Sequence, residues 1–303
     1  MEPSFLKKYQ PKLFNEFFID PAYIELMNTL IQMDNLNILL IGNTGCGKTS
    51  LLDAILREYY KTNVIPPYNV LYINNLQEQG ISYYRNEVKT FCQITSSIPK
   101  KKKIIVLDDI DFINEQSQQV FRNCIDKYSH NVHFIISCSN TQKVIESIQS
   151  RCTLIKINPL GTNILKKIVK KIKTQEQIDI TPEAESFILN ICNNSIRLII
   201  NYLEKFKLLD CSITLKKAKD ICTNISYFDF EKYTHFWYID KNFTNARNII
   251  YSIYKKGYSV MDILDSYFQF IKITDIIKEI DKYKTIRLLC KYISYFHTLH
   301  ENP

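Results

Sequence analysis

Glycine is scarce in this sequence and concentrated in one place. The 303 residues contain six glycines, and Gly42, Gly45 and Gly47 fall within six positions. Because glycine occupies tightly turned and left-handed backbone that other residues avoid, the cluster indicates a local backbone requirement. Residues 42–49 read Gly-Asn-Thr-Gly-Cys-Gly-Lys-Thr, which fits the pattern G-x-x-x-x-G-K-[ST] in full. An apolar run precedes this segment and apolar residues at helical spacing follow it, so the sequence predicts a strand, a turn and a helix.

A loop of this composition is typical of phosphate-binding sites. Its glycines let consecutive N–H groups point inward at phosphate oxygens, and the N-terminus of the next helix adds partial positive charge. Lys48 can reach the β- and γ-phosphates of a nucleotide, and the Thr49 hydroxyl can ligate Mg²⁺. The predicted phosphate-contacting residues are Gly42, Asn43, Thr44, Gly45, Cys46, Gly47, Lys48, Thr49 and Ser50.

An apolar strand that ends in acidic residues is the expected companion of such a loop. Residues 104–107 read Ile-Ile-Val-Leu and are followed by Asp108 and Asp109. Asp108 would hold a hydrated Mg²⁺, and Asp109 could polarise the water that attacks the γ-phosphate. The sequence contains no Asn-Lys-x-Asp guanine-reading motif, which favours ATP over GTP.

The order of apolar runs predicts an α/β fold with a mainly parallel sheet. Short runs alternate with helical segments up to Leu160, and only helical patterns follow, so all-α material completes the chain. Thr181 and Pro182 mark the start of one of these later helices. The predicted strands are residues 37–41, 70–73, 104–107, 132–136 and 154–157.

The composition of the chain argues against several classes of protein. An apolar content of 46% and a charged content of 23% exclude a largely disordered chain. No run approaches the roughly 18 apolar residues of a membrane span, and the first residues lack the order of a secretory signal, so we expect neither membrane association nor secretion. The net charge of +8 fits a polyanionic partner. The nine cysteines form no CxxC pair and the histidines lack partners at zinc-like spacing, which argues against a disulfide framework or a zinc site.

Together these segments resemble the small subunits of replication factor C, the sliding-clamp loaders of the AAA+ ATPase superfamily. The most specific match is Lys-Val-Ile-Glu-Ser-Ile-Gln-Ser-Arg-Cys at residues 143–152, which is nearly the family's K-I-I-E-P-I-Q-S-R-C. The matches occur in the family's order. Besides the phosphate loop and the acid pair, the matching segments are residues 8–11, 70–89, 117–126, 143–152, 194–203 and 257–264.

The resemblance implies an architecture and a set of partners. It implies an AAA+ ATPase domain over residues 1–158, a helical lid over 159–223 and a helical collar for oligomerisation over 224–303. The implied activity is binding and hydrolysis of ATP with Mg²⁺, in a hetero-pentamer with other clamp-loader subunits. That complex would load a PCNA-like sliding clamp onto primer–template DNA, in a nucleus or in a viral replication compartment.

The resemblance also implies roles for residues around the nucleotide. Arg151 matches the arginine of S-R-C, which acts in trans on the neighbouring subunit's ATP and offsets the charge of phosphoryl transfer. Arg197 matches the lid arginine that contacts the γ-phosphate within the same subunit, and a charge on an exposed helix face is the alternative. Tyr9 and Pro11 belong to the segment that closes over adenine. Asp126 matches an acid near the neighbour's nucleotide, with a solvated helix acid as an equal alternative.

Basic residues at family positions predict contact with DNA. Arg85 and Lys89 are four apart on a predicted helix, and Arg122 matches the first arginine of the family's L-R-R. Such residues track the phosphate backbone, so their contacts would be independent of base sequence and sensitive to salt. Asn123 stands in place of the second arginine. A lysine cluster at residues 166–173 is a weaker candidate, because a solvated helix face explains it better.

Departures from the family pattern leave three functions open. Asp109 replaces the family's glutamate and is one methylene shorter, so its carboxylate would lie further from the water. The family has an asparagine, called sensor 1, that faces the γ-phosphate. Ser139 aligns with this asparagine, and Asn140 is the next residue. The favoured function is that of an ATP-hydrolysing clamp-loader subunit. The alternatives are a non-hydrolysing structural subunit that supplies Arg151 to its neighbour, and another AAA+ DNA-processing ATPase.

Overall fold

The computed structural model describes residues 3–74, 84–192, 194–209, 211–222 and 225–301. The chain forms two compact units. The first unit comprises Met1–Asp179 and Asn194–Cys211, and the second comprises Ile180–Asn193 and Ser212–Pro303. The division into an ATPase domain, a lid and a collar with boundaries near residues 158 and 223 stays a prediction.

The first unit is built on a parallel sheet. Its strands are β1 (Ile38–Ile41), β2 (Val70–Asn74), β3 (Lys103–Asp108), β4 (Val132–Cys138) and β5 (Thr153–Lys156). Every neighbouring pair runs parallel, in the order β2-β3-β4-β1-β5, so the predicted α/β class and parallel sheet are confirmed. Because the strands are parallel, their carboxyl ends meet at one edge, and the loops that follow β1, β3 and β4 lie side by side.

Helices follow the strands and then make up the later part of the chain. Short 3₁₀ turns occur at Phe14–Glu16, Ile110–Phe112 and Thr141–Lys143, and wider π turns at Tyr84–Val88 and His235–Ile239. The helices are α1 (Phe5–Lys8), α2 (Pro21–Gln32), α3 (Lys48–Tyr60), α4 (Lys89–Gln93), α5 (Glu115–Tyr128), α6 (Glu146–Gln149), α7 (Thr162–Glu176), α8 (Pro182–Ile191), α9 (Ile196–Leu209), α10 (Leu215–Ile221), α11 (Tyr227–Thr234), α12 (Phe243–Lys255), α13 (Val260–Ile273) and α14 (Glu279–Glu301).

Side-chain caps fix where several helices begin. The Asp20 side chain accepts a hydrogen bond from the Ala22 N–H at 3.0 Å at the start of α2. The Asn114 side chain accepts from the Ser117 N–H at 2.9 Å and starts α5. Thr181 caps α8, as its sequence predicts. Each cap satisfies a backbone donor that the helix leaves unpaired, which is typically worth about 1 kcal/mol.

Both faces of the inner strands β1, β3 and β4 are covered, so these strands are apolar at most positions. Leu40 and Val106 belong to the apolar cluster formed with α2 and α3, and Leu39 and Leu107 belong to the cluster formed with α5. All four side chains are fully buried. Since burying one such side chain contributes about 1.5–3 kcal/mol, the two clusters give the loops at the sheet edge a rigid base.

A polar network lies at the amino ends of the strands, on the side of the sheet opposite the phosphate loop. Asp34 accepts hydrogen bonds from the Tyr59 hydroxyl at 2.8 Å and from His133 Nε2 at 3.0 Å, and Lys102 Nζ lies 3.2 Å from its other oxygen. The Leu36 N–H donates to His133 Nδ1 at 3.4 Å, so Nε2 carries the ring proton. Burial lowers the pKa of His133, which keeps the ring neutral. His133 is therefore a structural histidine held inside the fold.

The second unit is helical, as the sequence predicts for this part of the chain. Its core combines aliphatic side chains such as Ile253 and Ile271 with the packed rings of Phe230, Tyr267 and Phe270. Trp237 Nε1 donates to the Tyr267 hydroxyl at 3.0 Å. A capping box between Ser259 and Asp262 starts α13. Among the helices that the structure describes, none is both long enough and apolar enough to cross a membrane.

Candidate functional site

The glycine-rich loop connects β1 to α3 at the carboxyl edge of the sheet, as predicted. Gly45 and Gly47 have φ values of +79° and +98°, a left-handed backbone that side chains rarely adopt. The Gly42 N–H donates to the Cys138 carbonyl at 3.2 Å, and a Cβ at Gly42 would lie 2.9 Å from the Ile157 carbonyl oxygen. The loop is therefore wedged between the ends of β4 and β5, where only glycine fits.

Lys48 lies at the centre of the site and is 6% exposed. Its Nζ donates to the carbonyl oxygens of Gly42 at 2.8 Å and Asn43 at 3.3 Å, and to the Ser139 hydroxyl at 3.2 Å. Asp109 Oδ1 lies 3.9 Å from the same nitrogen. These contacts hold the ammonium group inside the curve of the loop, where a bound phosphate would meet it.

Thr49 and Asp108 bring two oxygen atoms together beside Lys48. The Thr49 hydroxyl donates to Asp108 Oδ2 at 2.9 Å, which links the first turn of α3 to the end of β3. The other oxygen of Asp108 accepts from the Ser137 hydroxyl at 2.5 Å. Ser137 was not among the predicted site residues, although a polar residue near the carboxyl end of a mainly apolar strand is a detectable signal.

This pair of oxygens fits Mg²⁺. The ion prefers oxygen ligands, keeps several waters and is completed by phosphate oxygens in nucleotide sites, so it needs few protein ligands. The described residues contain no cluster of three or more histidine, cysteine or acidic side chains that could hold a metal ion. Thr49 and Asp108 would thus hold Mg²⁺ together with a nucleotide rather than without one.

Asp109 has a strained backbone and an unusual carboxyl group. Its φ of +54° is left-handed, and its N–H donates to the Ser137 hydroxyl at 2.8 Å. Burial and the adjacent Asp108 carboxylate raise the pKa of Asp109, while Lys48 and Arg197 act in the opposite direction. The group is a carboxylate that takes up a proton more readily than an ordinary aspartate.

The two candidates for sensor 1 have different surroundings. Ser139 faces Lys48 through its hydroxyl, whereas the Asn140 side chain accepts from the Gln142 N–H at 2.9 Å and caps its own turn. Asp111 Oδ2 accepts from the N–H groups of both residues, at 3.3 and 3.2 Å. Asp111 was not predicted as a site residue. It anchors the loop after β4 to the loop after β3.

The start of α9 packs directly against the phosphate loop. A Cβ at Gly45 would lie 2.5 Å from the Ser195 hydroxyl and 3.9 Å from Arg197 Cβ. Arg197 is exposed and acts electrostatically on Asp109. The predicted lid arginine therefore belongs to the same site as Lys48 and the acid pair, within the first unit.

This packing gives a testable expectation for Gly45→Ala. The new methyl group would clash with the Ser195 hydroxyl and would stand in a backbone that alanine rarely adopts, so Ser195 must rotate or the loop must shift, and we expect ATP affinity to fall by about tenfold or more. Titration with a fluorescent ATP analogue measures the loss. Ser195→Ala in the same chain should recover part of it, because the clash is with the hydroxyl. Gly161→Ala is the control, since a Cβ there meets nothing within 4 Å, and unchanged affinity in Gly45→Ala would contradict the expectation.

The N-terminal segment contacts helices α7 and α9. The Tyr9 hydroxyl donates to Glu176 of α7, Lys8 Nζ lies 2.7 Å from the same carboxylate, and the Phe5 N–H donates to Glu204 of α9 at 3.1 Å. Burial and then Glu176 raise the pKa of Tyr9. Pro11 is half-buried. The contact of Tyr9 and Pro11 with adenine stays a prediction.

Arg122 and Asp126 of α5 form a second group with Arg151, which follows α6. Arg151 Nε donates to Asp126 at 2.5 Å, and Arg122 Nε lies 3.4 Å from the same carboxylate. Lys89 is exposed on α4. Arg85 lies in the turn Tyr84–Val88, and its side chain falls outside the described part of the chain, as do residues 75–83 of the matching segment.

Two family models match different parts of the chain. The ATPase family associated with various cellular activities, AAA, matches residues 38–160, which contain the sheet and the phosphate loop. The replication factor C C-terminal domain matches residues 235–298 in the second unit.

Curated relatives match most of the chain. The replication factor C small subunit of Methanoregula boonei is 28% identical over 72% of this chain and 68% of its own length. Human replication factor C subunit 5 is 25% identical over 89% of this chain and 79% of its own length. The putative replication factor C small subunit R395 of Acanthamoeba polyphaga mimivirus is 27% identical over 89% and 84%.

Solved structures share the fold at low sequence identity. The Holliday junction branch migration motor RuvB of Thermotoga maritima has a TM-score of 0.56 at 15% identity, over 78% of this chain and 81% of that chain. Domain III of the T. maritima replication initiation protein DnaA has a TM-score of 0.51 at 20% identity, over 70% and 97%. At these identities the likeness concerns the fold alone.

Proposed function

Because this chain belongs to the replication factor C small subunits, which are AAA ATPases of the clamp-loader type, we propose that it binds and hydrolyses Mg²⁺-ATP within a clamp loader that places a sliding clamp on primer–template DNA. The observation that carries the proposal is the convergence of Lys48, Thr49, Asp108, Asp109 and Ser139 at one edge of the sheet. A phosphate cradle, a metal-binding pair and a water-orienting acid are the parts that phosphoryl transfer requires.

Each part of the site has a distinct role in this proposal. The backbone N–H groups of residues 43–50 and the N-terminus of α3 bind the phosphates, and Lys48 offsets their charge. Thr49 and Asp108 hold Mg²⁺, which would shield the phosphate charge during transfer. Asp109 accepts a hydrogen bond from the attacking water and orients it toward the γ-phosphorus. Arg197 approaches the γ-phosphate from the lid.

Arg151 completes a neighbouring subunit's site in this proposal. Its match to the S-R-C arginine supports the role, and so does its place on the surface of the first unit, where its side chain is 30% exposed. Assembly with other replication factor C subunits follows from the C-terminal domain and the relatives' names. A hetero-pentamer, a PCNA-like clamp, and a nuclear or viral replication compartment are the finer parts of the proposal.

A static subunit is the second candidate function. The shortened Asp109, in a left-handed backbone and with a raised pKa, favours it, because a poorly placed or protonated acid orients water badly. Such a chain would bind ATP and still present Arg151 to its neighbour. A Holliday-junction motor is not favoured, since the likeness to RuvB is one of fold only and the C-terminal domain matches replication factor C.

Binding to primer–template DNA tests the clamp-loader function. Changing Arg85, Lys89 and Arg122 to Gln should weaken DNA binding by the assembled complex, because each cation lost removes a phosphate contact. The slope of log affinity against log salt should become shallower by about two to three. Base-sequence preference should not change, since only phosphates are contacted. Filter binding at several salt concentrations measures both effects.

A matched charge control separates a specific surface from overall charge. Changing Lys166, Lys170 and Lys171 of α7 to Gln removes the same three charges from an exposed helix face. We expect this variant to bind like the parent. Equal losses in both triple variants would contradict the assignment to α4 and α5. Co-purification with mass spectrometry should recover clamp-loader subunits, and their absence would contradict the clamp-loader function itself.

A further inference from the structure

The Asp126 carboxylate lies between two arginines with different predicted roles. Arg122 is predicted to contact DNA, and Arg151 is predicted to contact the ATP of a neighbouring subunit. Asp126 lies near the end of α5, and its Oδ1 accepts from Arg151 Nε at 2.5 Å. Its Oδ2 lies 3.4 Å from Nε of Arg122, one helical turn earlier. Each oxygen of the carboxylate therefore faces a different guanidinium group.

A second contact fixes the Arg151 side chain. Arg151 Nη1 donates to the Ser147 carbonyl in α6 at 2.7 Å. With one acceptor on α5 and one on α6, the guanidinium plane has a defined direction, although the side chain is 30% exposed. The hydrogen bond from Arg151 lowers the pKa of Asp126, so the carboxylate stays ionised at neutral pH. Without this carboxylate, Arg151 would keep only contacts of Nη1, to the Ser147 carbonyl and, at 3.4 Å, to the Ser150 hydroxyl.

The geometry points to Asp126 as a positioning residue that orients Arg151 for the neighbouring subunit's ATP and makes that orientation sensitive to DNA at Arg122. This inference rests on the proposed function, because it takes Arg151 as the group supplied in trans and Arg122 as a contact to DNA. Its new content is the coupling of the two through a single side chain of this chain.

The physical reason is competition for one guanidinium. A DNA phosphate offers Arg122 a stronger, bidentate partner than a carboxylate oxygen 3.4 Å away, so Arg122 turns from Asp126 to the phosphate. The carboxylate is then left to Arg151 alone. Because Arg122 no longer competes for the Asp126 carboxylate, the ion pair between Asp126 and Arg151 becomes stronger. The Arg151 guanidinium therefore spends more time in the orientation that Asp126 and Ser147 define. DNA binding on one side of α5 thereby prepares the arginine on the other side.

The test is ATP hydrolysis in the assembled complex, with only the neighbouring site that receives Arg151 left active. With saturating primer–template DNA, Asp126→Asn should lower kcat by about fivefold to tenfold and leave KM within about twofold, since the substrate's own subunit is unchanged. The stimulation by DNA, which is the ratio of the ATP hydrolysis rates with and without DNA, should fall to the value that the Arg122→Gln variant shows. In the double variant the ratio should fall no further, because both changes break one coupling.

Two further variants separate positioning from structural damage. Asp126→Glu keeps the carboxylate and should recover most of the DNA-stimulated rate. Glu115→Gln removes the same charge from the exposed start of α5 and should behave like the parent. A rate lost in Asp126→Asn but not recovered in Asp126→Glu would overturn the inference, and so would unchanged DNA stimulation in Asp126→Asn.

The Arg151→Ala variant distinguishes a failure of this inference from a failure of the proposed function. If Arg151→Ala reduces the neighbour's rate while Asp126→Asn does not, the proposed function stands and the positioning role of Asp126 fails. If Arg151→Ala leaves the neighbour's rate intact, the role of Arg151 in the proposed function fails and this inference falls with it.

Discussion

Lys48→Ala should lower the affinity of this chain for ATP by about a hundredfold or more. Lys48 is the buried cation of the phosphate loop, and charge-assisted hydrogen bonds of this kind contribute about 1.5–3 kcal/mol each. Its loss leaves the phosphates without their main cationic partner inside the loop. Titration with a fluorescent ATP analogue in the presence of Mg²⁺ measures the effect.

The control must separate lost charge from lost structure. Lys48 also donates to the Gly42 and Asn43 carbonyl oxygens, so its removal can loosen the loop itself. Lys48→Met keeps the apolar stem and should fold like the parent while still failing to bind ATP. Lys166→Ala removes a charge from the exposed face of α7 and should bind normally. A folded Lys48 variant with parental affinity would refute the assignment of the phosphate site.

Asp109→Asn should reduce ATP hydrolysis by this subunit at least about tenfold, which corresponds to about 1.4 kcal/mol of activation free energy. Asparagine has the same size and tolerates left-handed backbone, so the fold at φ +54° should survive. Mg²⁺-ATP should still bind through Lys48, Thr49 and Asp108. The measurement is turnover in a complex whose other phosphate loops are disabled.

The pH profile of the parent gives a second readout of Asp109. Water is oriented by the ionised carboxylate, so the rate falls as pH drops through the pKa of Asp109. Burial and the neighbouring Asp108 raise that pKa, so the acid limb should lie above the ordinary aspartate value of about 3.9. Asp109→Asn should lose this limb. If the parent shows no turnover in such a complex, the static subunit is the correct function.

The sheet could be predicted from the sequence because its signals are local. Each strand is a short apolar run, and all five observed strands begin and end within two residues of the predicted ones. The phosphate loop was predicted for a related reason. Its glycines, lysine and threonine are contiguous, so the loop and its chemistry are specified by eight neighbouring residues.

The rest of the site depends on contacts between distant parts of the chain. Ser137 reaches Asp108 only because β3 and β4 are adjacent in the sheet. Asp111 anchors the loop at Ser139 for the same reason. No pattern in the sequence indicates that Asp126 is shared by two arginines, since Arg151 lies 25 positions further along the chain. Such contacts become visible only when the strand order is known.

The first unit is made from two separate stretches of the chain, which determines the order in which its parts are synthesised. Residues 180–193, between α7 and α9, belong to the second unit, so the first unit is incomplete until α9 has been made. Ser195, which packs on the phosphate loop, follows Gly45 by 150 positions. At about 5–20 residues per second, the ribosome supplies it roughly 8–30 s later. The sheet is complete only when Lys156 has been made, so in the last part of that interval the nascent chain carries a finished sheet whose phosphate loop still lacks the contact with Ser195.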